Sequence, residues 1–382
     1  MPPPKKYLFA PGPTPVPPQV LAAMAEPVVH HRGGDFRLLY ERCLERLRQV
    51  FRTERDVLLF AASGTGAMES AVANLFDRGE PVLVVSAGSF GERWHAIAQA
   101  YGLDVDLLQY EWGETPSADD VAARLAARPS KAVLLTQSET STGVVSDIHA
   151  LAAAASAGGA LSVVDAISSL GAVPLETDEW GVDVVLSGSQ KALMTPPGLA
   201  MAAVSDAAWE QLGSGPRFYF DWETTRKAQA KVDAAFTPAV SLIAGLDVAL
   251  GLLLETGLEQ AFAQHARLGR AAREGVKAMG LELFSPDEDR SAVVTAVRAP
   301  DGVDSDELLK LLASKWGVTL APGQARLKGK VFRIGHIGWY DLFDITTALA
   351  AVELGLDELG ATIERGVGVT RALEAYSQPV AA

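Results

Sequence analysis

Four features of this sequence stand where apolar stretches end, a fifth lies inside one, and their residue types could do chemistry. Lys191 follows Ser187, Gly188, Ser189 and Gln190, directly after the apolar run 182–186. A lysine is usually exposed, but one held between buried strands loses hydration and becomes a candidate imine former. Asp165 closes the run 161–164, which puts a carboxylate at the tip of a strand expected to be buried. Ser63-Gly64-Thr65-Gly66 lies between a strand-like and a helix-like segment, where free N–H groups and a helix dipole suit a phosphate. It is not a dinucleotide fingerprint, which would need glycine in place of Glu69, nor a P-loop, which needs Gly-Lys before Ser or Thr. Phe90, flanked by Gly88, Ser89 and Gly91, could stack on a flat ring. Arg333 is a charge inside Val331-Phe332-Arg333-Ile334-Gly335-His336 and so needs an anion. That anion is an internal carboxylate or a substrate carboxylate held at two points.

Taken singly, these are a helix cap, a turn aspartate, a surface lysine and a core aromatic. Taken together they match one cofactor. Pyridoxal phosphate needs a lysine for its aldehyde, a carboxylate for its ring nitrogen, an anion cradle and a stacking surface.

The elements that must position them follow from the apolar pattern. Short apolar runs at 57–61, 82–85, 132–135, 161–164, 182–186 and 199–204 alternate with helical patterns at 67–76, 92–101, 118–127 and 148–157. Continuously apolar strands separated by helices predict an α/β fold with a mainly parallel sheet covered on both faces. Ligands of such sheets bind beyond the C-terminal strand ends, where the groups above, Arg333 apart, fall. An amphipathic helix is predicted over 35–51. From about residue 239 a helical region runs to 279, with a break near 256–257. Strands at 281–284, 292–297, 318–321 and 331–334 follow, with helices at 305–315 and 345–359, as in a smaller α+β domain. The division expected is a proline-rich extended arm over 1–18, a large domain over 19–256 and a small C-terminal domain over 257–382.

Composition narrows the function. Lys+Arg number 33 and Asp+Glu 47, a net charge of −14, which disfavours nucleic acid and anionic membranes as partners. Cys43 is the only cysteine, so neither an intrachain disulfide nor a cysteine-based zinc site is expected; the six histidines form no HExxH pattern, and no metal is expected. The N-terminus lacks the apolar stretch of a signal peptide, and the apolar segment 239–254 is interrupted by Asp247, as suits a core helix. A cytoplasmic protein is expected.

At Ser187-Gly188-Ser189-Gln190-Lys191-Ala192-Leu193, followed by Pro196-Pro197-Gly198, the sequence resembles the class V pyridoxal-phosphate aminotransferases. It is most similar to the alanine–glyoxylate, serine–glyoxylate and serine–pyruvate group. The likeness extends through 10–15, 63–69, Glu139-Thr140-Ser141-Thr142-Gly143, 165–171 and 332–338. It implies fold type I, with pyridoxal 5'-phosphate bonded to Lys191, which also moves the proton at the substrate Cα. It further implies that Asp165 pairs with the ring nitrogen, Phe90 stacks on the ring, and Ser63, Gly64, Thr65 and Gln190 hold the phosphate. Thr140 would sit near the ring hydroxyl and Ile167 beneath the ring. Gly12 and Arg333 would hold the substrate carboxylate, and Thr237 would reach a phosphate in the neighbouring subunit of a homodimer. Two positions depart from some relatives: Ala234 replaces a phosphate-binding Tyr, and Phe90 gives a smaller face than Trp.

The implied reaction is a ping-pong transamination with alanine or serine as donor and glyoxylate or pyruvate as acceptor. Arg333 is the one arginine assignable to a carboxylate, so small neutral donors are expected over aspartate or glutamate. A lyase or desulfurase is the rival; a desulfurase needs a mobile cysteine, and Cys43 lies at a core position of an amphipathic helix. A non-catalytic subunit retaining the fold is the other rival, and loss of Lys191 or Asp165 would favour it; both are present.

Overall fold

The computed structural model describes residues 5–286 and 291–378. Its centre is a seven-stranded sheet. Across it run Asp56–Phe60, Ala200–Val204, Val184–Gly188, Leu161–Asp165, Ala132–Thr136, Pro81–Ser86 and Asp104–Gln109. Ala200–Val204 is antiparallel to both neighbours, and the other pairs are parallel. Leu161–Asp165 and Val184–Gly188 are buried throughout, which is why they read as unbroken apolar runs. Separate apolar layers cover the two faces, one built around Leu47, Val133, Val164 and Leu250, the other around Met68, Val84, Trp94 and Leu186.

The alignment of the parallel strands brings their C-terminal ends to one edge. Thr136 pairs opposite Asp165, and Asp165 opposite Leu186. The helix Gly64–Leu75 begins just past the first strand, and Ser89–Ala100 just past Pro81–Ser86.

The second unit holds a three-stranded antiparallel sheet of Val294–Arg298, Val331–Gly335 and Ala321–Pro322. The helices Leu258–Ala278, Leu342–Glu358 and Val367–Tyr376 share a core with it that includes Leu268, Phe332, Ile345 and Ala372. Val240–Thr256 packs into the first unit and Leu258–Ala278 into the second, and the two helices meet at 87°. Gly257 between them has φ +86°, a conformation that favours glycine. Among the described residues no single helix is long and apolar enough to cross a membrane.

Several elements differ from expectation. The proline-rich N-terminal segment does not stand apart: Tyr7–Leu8 pairs in parallel with Val318–Thr319, Phe9 enters the small unit's core, and Pro18–Ala25 is helical. The expected strand over 281–284 is a single bridge between Leu283 and Val297. The helix expected over 305–315 is α-helical only for Ser305–Leu311, then widens over Leu312–Trp316.

Candidate active site

Beyond the strand ends lies a cleft with about 270 Å³ of free volume. Gly12, Ser63, Gly64, Thr65, Phe90, Asp165, Ile167, Gln190 and Lys191 line it, and so do Arg93 and Ser138. Wider recesses occur elsewhere, about 560 Å³ beside His30 and Leu242 and about 430 Å³ beside His265 and Trp339. Neither gathers a lysine and a carboxylate.

Lys191 arrives from the strand Val184–Gly188 through a short turn. The N-terminal segment crosses over it: the Thr14 hydroxyl donates to the Lys191 carbonyl at 3.1 Å, and the Lys191 ammonium donates to the Pro11 carbonyl at 2.6 Å. Gly12 has φ +142°, and a Cβ there would overlap the end of the Lys191 side chain. Only glycine lets the segment come this close. Burial, and then the nearby positive charge of Arg333, push the Lys191 amine down to about 8, against the pull of Asp165.

Asp165 is 4% exposed and ends its strand. One carboxylate oxygen accepts the Ile167 N–H at 2.9 Å. Burial pushes its pKa up to about 6; the Ile167 bond opposes this and the charge of Glu139 adds to it. A cation placed against this carboxylate would relieve that burial cost, which is what a protonated ring nitrogen supplies. Ile167 lies over Gly64, where a Cβ would stand 2.6 Å from its Cδ1.

The helix Gly64–Leu75 points its N-terminus into the cleft. The Ser63 side chain accepts only the Gly66 N–H, at 3.4 Å. The earlier N–H groups have no intrahelical partners and form an anion cradle. Also lining the cleft, Gln190 has a buried Oε1 without a partner. An orphaned polar atom, free helix N–H groups and a carboxylate awaiting a cation together fit a phosphate-bearing pyridinium ring.

Arg333 is 5% exposed on the strand Val331–Gly335. It donates to the Pro322 carbonyl at 3.0 Å and to the Thr140 carbonyl at 2.7 Å. Among the described residues no carboxylate forms an ion pair with it. Burial pushes its pKa down to about 10, opposed by Glu139. A buried guanidinium bonded only to carbonyls retains capacity for a carboxylate. Thr140 is buried beneath it rather than lining the cleft. Thr237 is exposed and lies outside its own chain's cleft, beside Phe236 and Tyr219.

The sequence reading missed two charged residues here. Arg93 donates to the Thr65 hydroxyl at 3.2 Å and lies 4.6 Å from the Phe90 ring centroid. Its only signal was the three-residue spacing from Phe90 on one helix. It also corrects the view that Arg333 is the one cation available to an anionic ligand. Glu139 is 3% exposed and accepts the N–H groups of Phe90 and Gly91; nothing in its sequence neighbourhood announced that contact.

The family model for Aminotransferase class-V matches residues 6–334. A soluble hydrogenase small subunit of a Synechococcus strain is 43% identical, over 98% of this chain and 99% of its own. The serine–glyoxylate aminotransferase of Methylorubrum extorquens is 39% identical, over 96% and 95%. Among solved structures, an aspartate aminotransferase of subgroup IV from Thermus thermophilus superposes with a TM-score of 0.86 at 37% identity, covering 93% of this chain and all of that one.

Proposed function

The chain belongs to the class V aminotransferases, and we propose that it moves an amino group from a small amino acid, alanine or serine, to glyoxylate or pyruvate. It is a fold type I enzyme whose cofactor is pyridoxal 5'-phosphate. When bound, the cofactor supplies an aldehyde carbon and an electron-accepting ring.

The observation that carries the reading is the meeting of Lys191 and Asp165 in one cleft. Burial draws the first down to about 8 and the second up to about 6. Lys191 therefore holds about a tenth of its population as free amine at about pH 7, far more than an unperturbed lysine, and can take up and return a proton at the substrate Cα. Asp165 holds the ring nitrogen in its protonated form. Ser63, Gly64, Thr65 and Gln190 hold the phosphate, with Arg93 beside them through Thr65. Phe90 and Ile167 would bracket the ring, and Thr140, which is buried and does not line the cleft, contributes the carbonyl that accepts Arg333. Arg333, with Gly12, orients the substrate carboxylate, and the Gly12 segment excludes water from above Lys191.

A second reading, an aspartate donor, is favoured by Arg93, a guanidinium at the cleft without a carboxylate partner among the described residues. Steady-state kinetics of alanine, serine and aspartate, each with glyoxylate and pyruvate, separates the two. A preference for aspartate that disappears in Arg93→Ala overturns the small-donor reading. The name of the Synechococcus relative finds no support in these residues: thiolates hold iron–sulfur clusters, and the one cysteine, Cys43, is buried in a helix.

The proposal includes a cytoplasmic homodimer with shared sites. Supporting it are the exposure of Thr237 away from its own cleft and the exposed Phe218 and Tyr219 alongside. Sedimentation of the cofactor-loaded protein reads the dimer; a fully active monomer overturns it.

A further inference from the structure

The helix Ser89–Ala100 begins at Gly88, which has no side chain to cap it. A helix leaves its first N–H groups without internal partners, and these lie at the cleft. A distant loop meets them. Ser141 Oγ accepts the Ser89 N–H at 3.1 Å, and Glu139 Oε2 accepts the N–H groups of Phe90 at 3.0 Å and Gly91 at 3.2 Å. The other Glu139 oxygen accepts the Ser141 N–H at 3.2 Å and the Ser141 hydroxyl.

Glu139 is therefore a helix cap borrowed from another segment, and space has been made for it. A Cβ on Gly88 would stand 2.5 Å from both Cγ and Cδ of Glu139. Four donors surround the carboxylate: the N–H groups of Phe90, Gly91 and Ser141 and the Ser141 hydroxyl. Only the ionised form accepts from all of them, and charged hydrogen bonds are the strong ones. Burial pushes its pKa up while these bonds pull the other way.

Two parts of the reactive apparatus hang on this residue. Phe90 rides on the first turn that Glu139 docks. The adjoining Thr140 carbonyl accepts Arg333 at 2.7 Å, and the negative charge of Glu139 favours the guanidinium cation.

We propose that Glu139 is a positioning residue for transamination: one buried carboxylate sets both the aromatic face on which the cofactor ring rests and the arginine clamp for the substrate carboxylate. The inference deepens the aminotransferase reading and rests on it.

The test is Glu139→Gln, which keeps the shape but turns an amide N–H₂ toward some of these donors. Cofactor-free protein is titrated with pyridoxal phosphate, the visible circular dichroism of the bound ring is recorded, and donor kinetics and thermal unfolding are measured. The expected result is cofactor binding weaker by roughly ten- to a hundredfold, the loss of a charged hydrogen bond. A changed dichroism band and a donor KM raised about tenfold should accompany it. A lower melting temperature, with cofactor affinity, dichroism and donor KM all within about twofold of wild type, reduces Glu139 to a structural cap and overturns the proposal. If Glu139→Gln does not fold, Gly88→Ala displaces the carboxylate without removing it, and the same readings decide. Wild-type protein that takes up no cofactor overturns the aminotransferase reading itself, and the role of Glu139 with it.

Discussion

The Lys191 ammonium donates to the Pro11 carbonyl at 2.6 Å, so the reactive nitrogen is held by the chain's own N-terminal segment and not by a carboxylate. A neutral carbonyl steadies the nitrogen without the strong stabilisation of its protonated form that a carboxylate gives. Borohydride reduction of the loaded protein followed by peptide mapping is expected to place the cofactor on Lys191. Lys191→Ala should still bind the phosphate end but lose turnover by orders of magnitude. A label on another lysine removes the assignment.

The rate of covalent cofactor capture should depend on pH in a defined direction. The free amine attacks, and burial sets Lys191 at about 8, against 10.5 when unperturbed. Below pH 8 the reactive fraction falls about tenfold per unit, and above it the rate levels off. The same lowered pKa means that the unfolded chain binds the extra proton between about 10.5 and 8. Cofactor-free stability should therefore rise with pH across that window. Stopped-flow absorbance over pH 6 to 10 checks the rate (roughly the range where the amine titrates). A profile that is flat below 8 contradicts the free-amine origin.

Arg333→Lys keeps the charge and loses the planar two-point donor. The expected cost is about 1.5–3 kcal/mol in kcat/KM, roughly ten- to a hundredfold. It should appear with every amino acid carrying an α-carboxylate. Unchanged kinetics would remove the clamp.

Stability should hinge on a site remote from the chemistry. Arg42 and Arg46, on the helix Gly34–Phe51, converge on Asp247 of Val240–Thr256 at 2.6 and 2.8 Å, and the Asp247 side chain is only 3% exposed. Asp247→Ala removes the buried carboxylate that both arginines bond, while the arginines themselves keep access to water. A loss of about 1.5 kcal/mol is expected by urea unfolding, with cofactor affinity unchanged.

Legibility in the sequence followed burial. Leu161–Asp165 and Val184–Gly188 are enclosed on both faces, so their apolar runs, and the polar residues ending them, stand out in the sequence. Asp104–Gln109 is one of the two edge strands, half-exposed and carrying Asp104 and Asp106, and left no run to read. Arg93 and Glu139 were hidden for another reason. Each acts through contacts with residues far along the chain, Thr65 for the first and Phe90 for the second. A periodic pattern reports only which way a residue faces, not which segment it will meet.

The pairing of Tyr7–Leu8 with Val318–Thr319 bears on the order in which the enzyme matures on the ribosome. The central sheet can assemble once the chain has emerged past its last strand, Ala200–Val204, and the helices behind it. The segment carrying Gly12 has no strand partner until the small unit's residues appear, late in synthesis. Contacts so distant in sequence form slowly, and domains fold in the order they emerge. Nascent chains stalled before residue 319 should therefore protect the sheet from protease while leaving the first residues open to cleavage and Lys191 uncovered.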